Sequence, residues 1–400
     1  MSDSTSDHNV SHNSNNHNAF SDSEQGFMQR ALILAQKGHF TTSPNPRVGC
    51  VIVNQGEIVG EGFHQKAGCA HAEVNALSQA KALAKGATAY VTLEPCSHYG
   101  KTPPCAQALI NAQVSEVIIA MVDPNPQVAG SGIKCLNDAG IKTRVGLLNQ
   151  QAQALNKGFI HLMTQKQPYV RLKMAASLDG KTAMASGESK WITGALARQN
   201  VQELRAQSCA IICGADSVLT DNAKMTVRWH ELAETIKADY PQENVRQPLR
   251  VVIDTQYRLT PDLALFQQQS PIIIVRLDKH ADVKKESQWP SFVEQVYLPS
   301  KTDDRNIQRV DLQSLLSYLA QKGLNDILIE SGANLAGAFV EQNLVNELIL
   351  YQAPKLLGGE GKSLLTMPNI HTLAEAKVLT IDEVITLGDD IRITARFQTR

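Results

Sequence analysis

The stretch that decides the fold begins at His71-Ala72-Glu73 and resumes at Thr92-Leu93-Glu94-Pro95-Cys96. It closes with Pro103-Pro104-Cys105. One imidazole and two thiolates form a donor set soft enough for zinc, and three protein ligands leave a fourth tetrahedral position for water. Glu73 lies beside the first donor without being needed as a fourth, so it is free to carry protons. On an ideal helix, residues two apart point roughly 200° away from each other. His71 and Glu73 can therefore share one metal only if His71 stands at a helix entrance, and the apolar period Val74, Leu77, Ala80, Ala84 does begin just after it. Cys105 directly precedes a second helical stretch and Pro95 suits the start of a helical turn, which predicts both thiolates at helix N-termini, where the dipole stabilises them. Cys69 could close the shell into a structural site, but Glu73 would then have no task. His98 is a further candidate ligand or pocket residue, and Cys50 reads as a small hydrophobe in a strand.

Outward from this stretch, the pattern alternates. Phe27, Ala31, Leu34 and Ala35 recur at helical spacing, with Gly38 placed to end the helix. Residues 48–53 and 57–63 read as a hairpin around the turn Asn54-Gln55-Gly56. Strands at 88–93, 117–122 and 141–145 then alternate with helices at 106–112 and 133–139. This predicts an α/β sandwich with a mixed sheet over residues 24–150. Residues 1–23 are Ser, Asn, Asp and His with almost no large apolar side chain, and read as a disordered tail; His8, His12 and His17 are candidate metal ligands, with a solvated polar tail as the favoured reading. Residues 151–167 are Gln-rich and read as a link. Residues 168–400 form a second α/β domain, with strands at 169–174, 210–213, 250–253, 272–275, 327–330, 348–351 and 391–397. Helices are placed at 196–206 and 312–320. Glu330-Ser331-Gly332-Ala333-Asn334 is a strand-to-helix turn whose backbone N–H groups suit a phosphate, though a plain turn reads equally well. Gly361-Lys362-Ser363 is no P-loop, because Leu356 stands where its first glycine belongs.

Composition limits the function classes. The chain has 400 residues, 43% hydrophobic and 19% charged, and a net charge of −1, which offers no global attraction to nucleic acid or to an anionic membrane. Seven cysteines in an odd count, several in apolar runs, fit reduced thiols in a cytoplasmic protein. No apolar run is long enough to span a bilayer. The partner expected is a small-molecule substrate, and the composition is compatible with a homo-oligomer.

His-x-Glu with Pro-Cys and a second Cys is the donor pattern of zinc nucleobase deaminases. Eight residues separate Cys96 from Cys105 here, where two are usual. With that insertion, the run from Thr92 to Cys105 resembles the deaminase half of the bifunctional riboflavin-biosynthesis deaminase/reductase family, RibD. Pro44-Asn45-Pro46, Gly62-Phe63-His64, Asp123-Pro124-Asn125-Pro126 and Ser177-Leu178-Asp179-Gly180-Lys181-Thr182-Ala183 also resemble it. The likeness extends from about residue 25 to the C-terminus. It implies a cytidine-deaminase-like domain followed by a dihydrofolate-reductase-like domain, with zinc and NADPH as cofactors. The implied activity is hydrolase and oxidoreductase in one chain. Its substrate is 2,5-diamino-6-(5-phosphoribosylamino)pyrimidin-4(3H)-one and its final product 5-amino-6-(5-phosphoribitylamino)uracil. By the same resemblance Asn45 holds the pyrimidine, although a turn residue between two prolines reads equally well. Ser189, Arg205, Met225, Arg228 and Glu330 would meet the reductase substrate. Ala175, Trp191, Ser217, Asp221 and Gly332, Ala333, Asn334, Leu335, Ala336, Gly337 and Ala338 would meet NADPH. Arg205 and Arg228 suit bidentate phosphate binding, with surface salt bridges as the plainer reading. Trp191 could equally be a core aromatic, and Lys173 could stabilise developing negative charge. A tRNA or nucleoside deaminase with an inactive second domain, and a zinc-stabilised interaction module, are the rival readings. Near-zero charge disfavours the first and Glu73 the second.

Overall fold

The computed structural model describes residues 20–98, 103–126, 128–277, 289–303 and 306–398. The histidines of the tail, and Tyr99 to Thr102 of the insertion, lie outside these. The first half runs α1 (Asp22–Gln36), β1 (Gly49–Asn54), β2 (Glu57–Phe63), α2 (Ala72–Ala80), β3 (Thr88–Val91) and α3 (Cys105–Asn111). It continues with β4 (Glu116–Ile119), α4 (Ser131–Asp138) and β5 (Lys142–Val145). The sheet order is β2-β1-β3-β4-β5, antiparallel through β2, β1 and β3 and parallel from β3 to β5. Strand β1 shows why this is a sandwich. Cys50 and Ile52 face a core shared with α2, α3 and α4, while Val51 and Val53 face one shared with α1, so its period of two serves both layers.

Two expectations for this half change. Helix α1 starts at Asp22, so part of the expected tail is ordered. Ser21 accepts from the Glu24 backbone N–H, and the Glu24 carboxylate accepts from the Ser21 N–H. Ser21-Asp22-Ser23-Glu24 is thus a capping box, a signal hidden among similar polar residues. In α2 the buried face is Ala72, Glu73, Ala76 and Ala80, whereas Val74 and Leu77 are only half-buried. The cause lies in β2. A Cβ on Gly60 or Gly62 would stand 2.3 Å from a carbonyl oxygen of α2, so helix and strand touch backbone to backbone and only alanine fits between them.

The segment expected as a link is helical, as α5 (Asn149–Leu155) and α6 (Lys157–Gln165). Its glutamines are good helix formers on exposed turns. Ala152, Leu155, Phe159 and Ile160 pack into the first-half core, while Lys157 reaches Glu347 of the second half at 2.8 Å.

The second half begins with β6 (Tyr169–Ser177), β7 (Lys181–Ala183), α7 (Ala195–Gln207), β8 (Ala210–Gly214), α8 (Ala215–Asp221) and α9 (Glu234–Asp239). Then come β9 (Leu249–Ile253), β10 (Ile272–Leu277), β11 (Val293–Leu298), β12 (Ser300–Thr302), β13 (Gln308–Val310) and α10 (Leu312–Gln321). The chain closes with β14 (Asp326–Ile329), α11 (Ala333–Glu341), β15 (Glu347–Ala353), β16 (Lys362–Ser363), β17 (Leu379–Leu387) and β18 (Asp390–Phe397). Nine strands form one sheet, β11-β10-β9-β8-β14-β6-β15-β18-β17. It is parallel from β11 to β15 and ends in an antiparallel pair. The central parallel strands β8, β9, β10 and β14 are buried on both faces, against α10 and α11 on one side and α7 and α8 on the other. Lys362–Ser363 is a short strand paired with β7, not a loop entering a helix, which agrees with rejecting a P-loop.

Candidate active sites

In the first half, His71 is the N-cap of α2 and makes no side-chain cap bond, so its ring is free to turn away from the helix. His71 Nδ1 lies 3.2 Å from Cys105 Sγ and 3.6 Å from Cys96 Sγ. All three donor atoms fall within 4.8 Å of one another, which is the spacing a tetrahedral zinc requires of its ligands. Cys105 is the first residue of α3, at the positive end of its dipole. Cys96 lies in no helix, contrary to expectation. Its sulfur is served instead by the Cys105 backbone N–H at 3.3 Å, so one helix start supports both sulfurs. Hydrogen bonding from Cys105, with a further contribution from His71, pulls the Cys96 thiol well below its ordinary value, while sharing that proton and burial push Cys105 up. Cys69 is exposed and His98 is exposed, and neither belongs to the cluster among the described residues.

Glu73 is buried beside this triad. Burial drives its carboxyl up to about 7, and its Oε2 has no hydrogen-bond partner. An unpartnered carboxylate oxygen at that depth is costly unless something else at the site uses it. The orphaned oxygen and the soft donor set together fit a zinc ion with a proton carrier alongside. Asn45 is exposed at the site's edge. Its Nδ2 lies 3.2 Å from His64 Nε2, and His64 packs edge-on against His71 at 5.3 Å. His64 Nδ1 faces the Ala70 carbonyl at 3.2 Å, which can only accept, so Nδ1 carries the proton and Nε2 accepts from Asn45. The Asn45 Oδ1 takes no part in that bond and keeps its capacity to accept.

Glu94 was not singled out in the sequence. It is buried, and its carboxylate accepts from the backbone N–H groups of Asp123, Gly130, Gly132 and Ile133 at 2.8–3.3 Å. It ties the Pro95-Cys96 turn to the start of α4. The only hint was its place in Leu93-Glu94-Pro95-Cys96, at the end of a strand and just before a ligand.

In the second half, a cavity of about 1550 Å³ opens beyond the carboxyl ends of the parallel strands. Ala175, Ser189, Arg205, Ser217, Asp221, Met225, Glu330, Gly332, Ala333, Asn334, Leu335 and Ala338 line it, as does Lys173. Four expected residues are not brought to its wall. Ala336 is fully buried, and Gly337 backs onto Thr366, whose carbonyl a Cβ would meet at 1.9 Å. Both therefore face the core side of α11. Trp191 is 64% exposed with the Arg198 guanidinium 4.6 Å above its ring. Arg228 spends its fork on Glu231, at 2.5 and 2.8 Å. Arg205 does reach the cavity, yet its fork is also taken, by Glu330 at 2.6 and 2.9 Å. Neither arginine is free for a phosphate in this arrangement. Burial favours a neutral Glu330, but the charge and hydrogen bonds of Arg205 outweigh it and hold the carboxyl below its ordinary value. Thr255 and Arg258, in the loop after β9, and Lys362 also line the cavity, and no spacing in the sequence pointed to them.

The cavity suits a dinucleotide. Gly332 is the N-cap of α11 with no side-chain cap bond, and the nearest atom to a Cβ there would be Ser217 Oγ at 3.8 Å, so the helix start lies open to the cavity. Ser331 Oγ, in the same wall, is buried without a partner.

Comparison with known proteins agrees with both halves. The sequence profile of the cytidine and deoxycytidylate deaminase zinc-binding region matches residues 21–121, and that of the RibD C-terminal domain matches residues 168–390. The riboflavin biosynthesis protein RibD of Haemophilus influenzae is 51% identical, over 94% of this chain and 98% of its own length. That of Escherichia coli is 50% identical, over 92% of this chain and 98% of its own. Among solved structures, Acinetobacter baumannii RibD superposes with a TM-score of 0.85 at 42% identity, covering 94% of this chain and 99% of that one. A Thermotoga maritima diaminohydroxyphosphoribosylaminopyrimidine deaminase/5-amino-6-(5-phosphoribosylamino)uracil reductase superposes with a TM-score of 0.80 at 30% identity, over the same shares. With such likeness over more than nine tenths of its length, and with both domains matched in order, this chain belongs to the RibD family of bifunctional deaminase/reductases.

Proposed function

We propose that the chain deaminates 2,5-diamino-6-(5-phosphoribosylamino)pyrimidin-4(3H)-one at the first site and reduces the ribosyl chain of the product to ribityl at the second. The observation that carries the first step is the buried, unpartnered Glu73 oxygen beside His71, Cys96 and Cys105. Those three residues would hold zinc, which when bound supplies the Lewis acidity that makes water a nucleophile near neutral pH. Glu73 takes the proton that the attacking water sheds, at Oε2. It returns that proton to the ring nitrogen beside the carbon under attack, then carries the second proton, from the newly added hydroxyl as it becomes a carbonyl, to the departing amino group, which leaves as ammonia. Burial, which raises this carboxyl from its ordinary value, favours its holding the proton between the two transfers. The Asn45 Oδ1, aimed by His64, accepts from a ring N–H or amino group of the pyrimidine.

Ala175, Ser217, Asp221 and the open N–H groups at the start of α11 would hold NADPH, which when bound would supply the hydride for the second step. Ser189, Met225 and the Arg205–Glu330 pair border the substrate. Glu330, kept ionised by Arg205, can accept from substrate hydroxyl or amino groups. Among the described residues no helix is long and apolar enough to cross a membrane, and all seven cysteines are unpaired, which supports a reducing, cytoplasmic setting for a small-molecule enzyme.

Incubating the protein with the phosphoribosyl pyrimidine, with and without NADPH, and weighing the products tests this. Without NADPH the amino group should be exchanged for oxygen and ammonia released. With NADPH the product should gain two further hydrogens. Reduction without prior deamination, or no reaction at all, would overturn the order proposed.

A further inference from the structure

The two halves meet at the loop that carries Asn45. Asn325, at the amino end of β14 in the reductase half, is buried and donates from Nδ2 to the Pro44 carbonyl at 2.6 Å. Its other polar atoms are also engaged. Oδ1 accepts from Cys209 Sγ at 3.1 Å, and its carbonyl accepts from the Tyr169 N–H at 2.9 Å, so β6 and β8 on either side hold it in place. Ser43 Oγ donates to the Gln207 carbonyl at 3.4 Å. From the joint between α5 and α6, Asn156 bonds both the N–H and the carbonyl of Arg47, at 2.8 and 3.0 Å. Ser43, Asn45 and Arg47 enclose one void of only about 10 Å³ together with Asn156, Gly158, Asn325 and Asp326, and a Cβ on Gly158 would stand 2.7 Å from the Asn325 carbonyl. The loop is thus clamped from the reductase side at Ser43 and Pro44 and from the helical joint at Arg47. Asn45, between the clamps, is exposed and turned to His64.

We infer that Asn325 is a positioning residue for deamination, although it belongs to the reductase half. The inference rests on the reading of Asn45 as a pyrimidine contact. Pro44 is the residue before Asn45, and a proline has no N–H with which to tie itself elsewhere, so the bond to its carbonyl sets where the Asn45 backbone begins. The reductase cavity does not share this dependence. It begins beyond Glu330, at the other end of β14, and five residues of strand span roughly 16 Å.

The test is steady-state ammonia release and, separately, NADPH binding by fluorescence, on full-length zinc-loaded protein. Asn325→Ala should raise the deaminase KM on the order of 3- to 10-fold, the effect of one lost hydrogen bond, with kcat nearly unchanged. Zinc content and NADPH Kd should match the parent. Asn325→Asp keeps the shape and the acceptor for Cys209 but loses the donor, so it should behave alike even if the alanine variant folds poorly. Asn45→Ala should raise KM at least as much, and adding Asn325→Ala to it should do little more. If Asn45→Ala raises KM and neither Asn325 variant does, the positioning role is wrong. An unchanged KM in Asn45→Ala sinks the pyrimidine contact itself. Equal losses of kcat, zinc and NADPH affinity in both Asn325 variants would mean a purely structural residue and would also overturn the inference.

Discussion

In the deaminase half, three donors from two short stretches converge within 4.8 Å at the start of two helices. In the reductase half, a cavity of about 1550 Å³ draws its wall from residues as far apart as Lys173 and Lys377. The first site is local chemistry. Its ligands are identifiable because zinc dictates residue types, and helix starts dictate where His71 and Cys105 stand. The second is a shape made by the carboxyl ends of parallel strands, and few of its residues need to be of one type. A site defined by donor atoms should fail sharply when one atom changes. A site defined by shape should fail by degrees, except where it buries charge.

The sharpest break is expected at Glu73→Gln. It should retain zinc and lose deamination by about 10²- to 10⁴-fold, while still oxidising NADPH when given the deaminated pyrimidine. Loss of zinc in that variant, read by metal analysis, would make Glu73 a ligand and remove the open position on which the first site depends. Next, Cys96→Ser and Cys105→Ser should each empty the zinc site, whereas Cys69→Ser, at an exposed position outside the cluster, should keep both metal and activity. A Cys69 variant as empty as the other two would turn the site into a closed structural one.

In the reductase half the strongest effect should come from Glu330→Gln, because it leaves Arg205 buried without its counter-ion. Such a break costs about 3–5 kcal/mol, measurable by denaturant unfolding, and NADPH turnover should fall while zinc content stays. The sign with pH follows. The Glu330 carboxyl lies below its ordinary value in the folded chain, so its contribution is full above about 4.5 and is lost as pH falls through the folded value. The parent should therefore lose more stability on acidification than the Gln variant. Equal acid sensitivity would show that the pair does not stabilise the fold. The smallest effect belongs to Ser21→Ala, which removes the capping box of α1. It should cost about 1 kcal/mol and change neither activity. A loss of deamination there would mean that α1 positions the site more tightly than its distance in the chain suggests.

These contrasts also mark what could be read in advance. His71, Glu73, Cys96 and Cys105 were legible because each is a chemical type at a constrained place. The alternation of strands and helices was legible because buried parallel strands are continuous apolar runs and helices repeat near every third or fourth residue. The capping box at Ser21 was present but lost in a polar stretch of the same residues. The period through α2 was right at Ala80 and Ala84, which are buried, but hydrophobicity favoured Val74 and Leu77, while the backbone approach of Gly60 and Gly62 puts Ala72, Ala76 and Ala80 innermost. Residues 151–167 looked like a link because glutamine is polar. They are two helices because glutamine is also a good helix former and Ala152, Leu155, Phe159 and Ile160 have cores to enter.

By itself the sequence determined the donor set, the order of elements and the two-domain plan, since these depend on residue type and on spacing along the chain. Tertiary structure decided which side chains share a surface. It turned Arg205 and Arg228 from phosphate ligands into partners of Glu330 and Glu231, sent Ala336 and Gly337 into the core, and set Asn325 under the Asn45 loop. Each of those outcomes depends on a distance between residues remote in sequence, and a guanidinium, a glycine or an amide side chain carries no local mark of the partner that folding will give it.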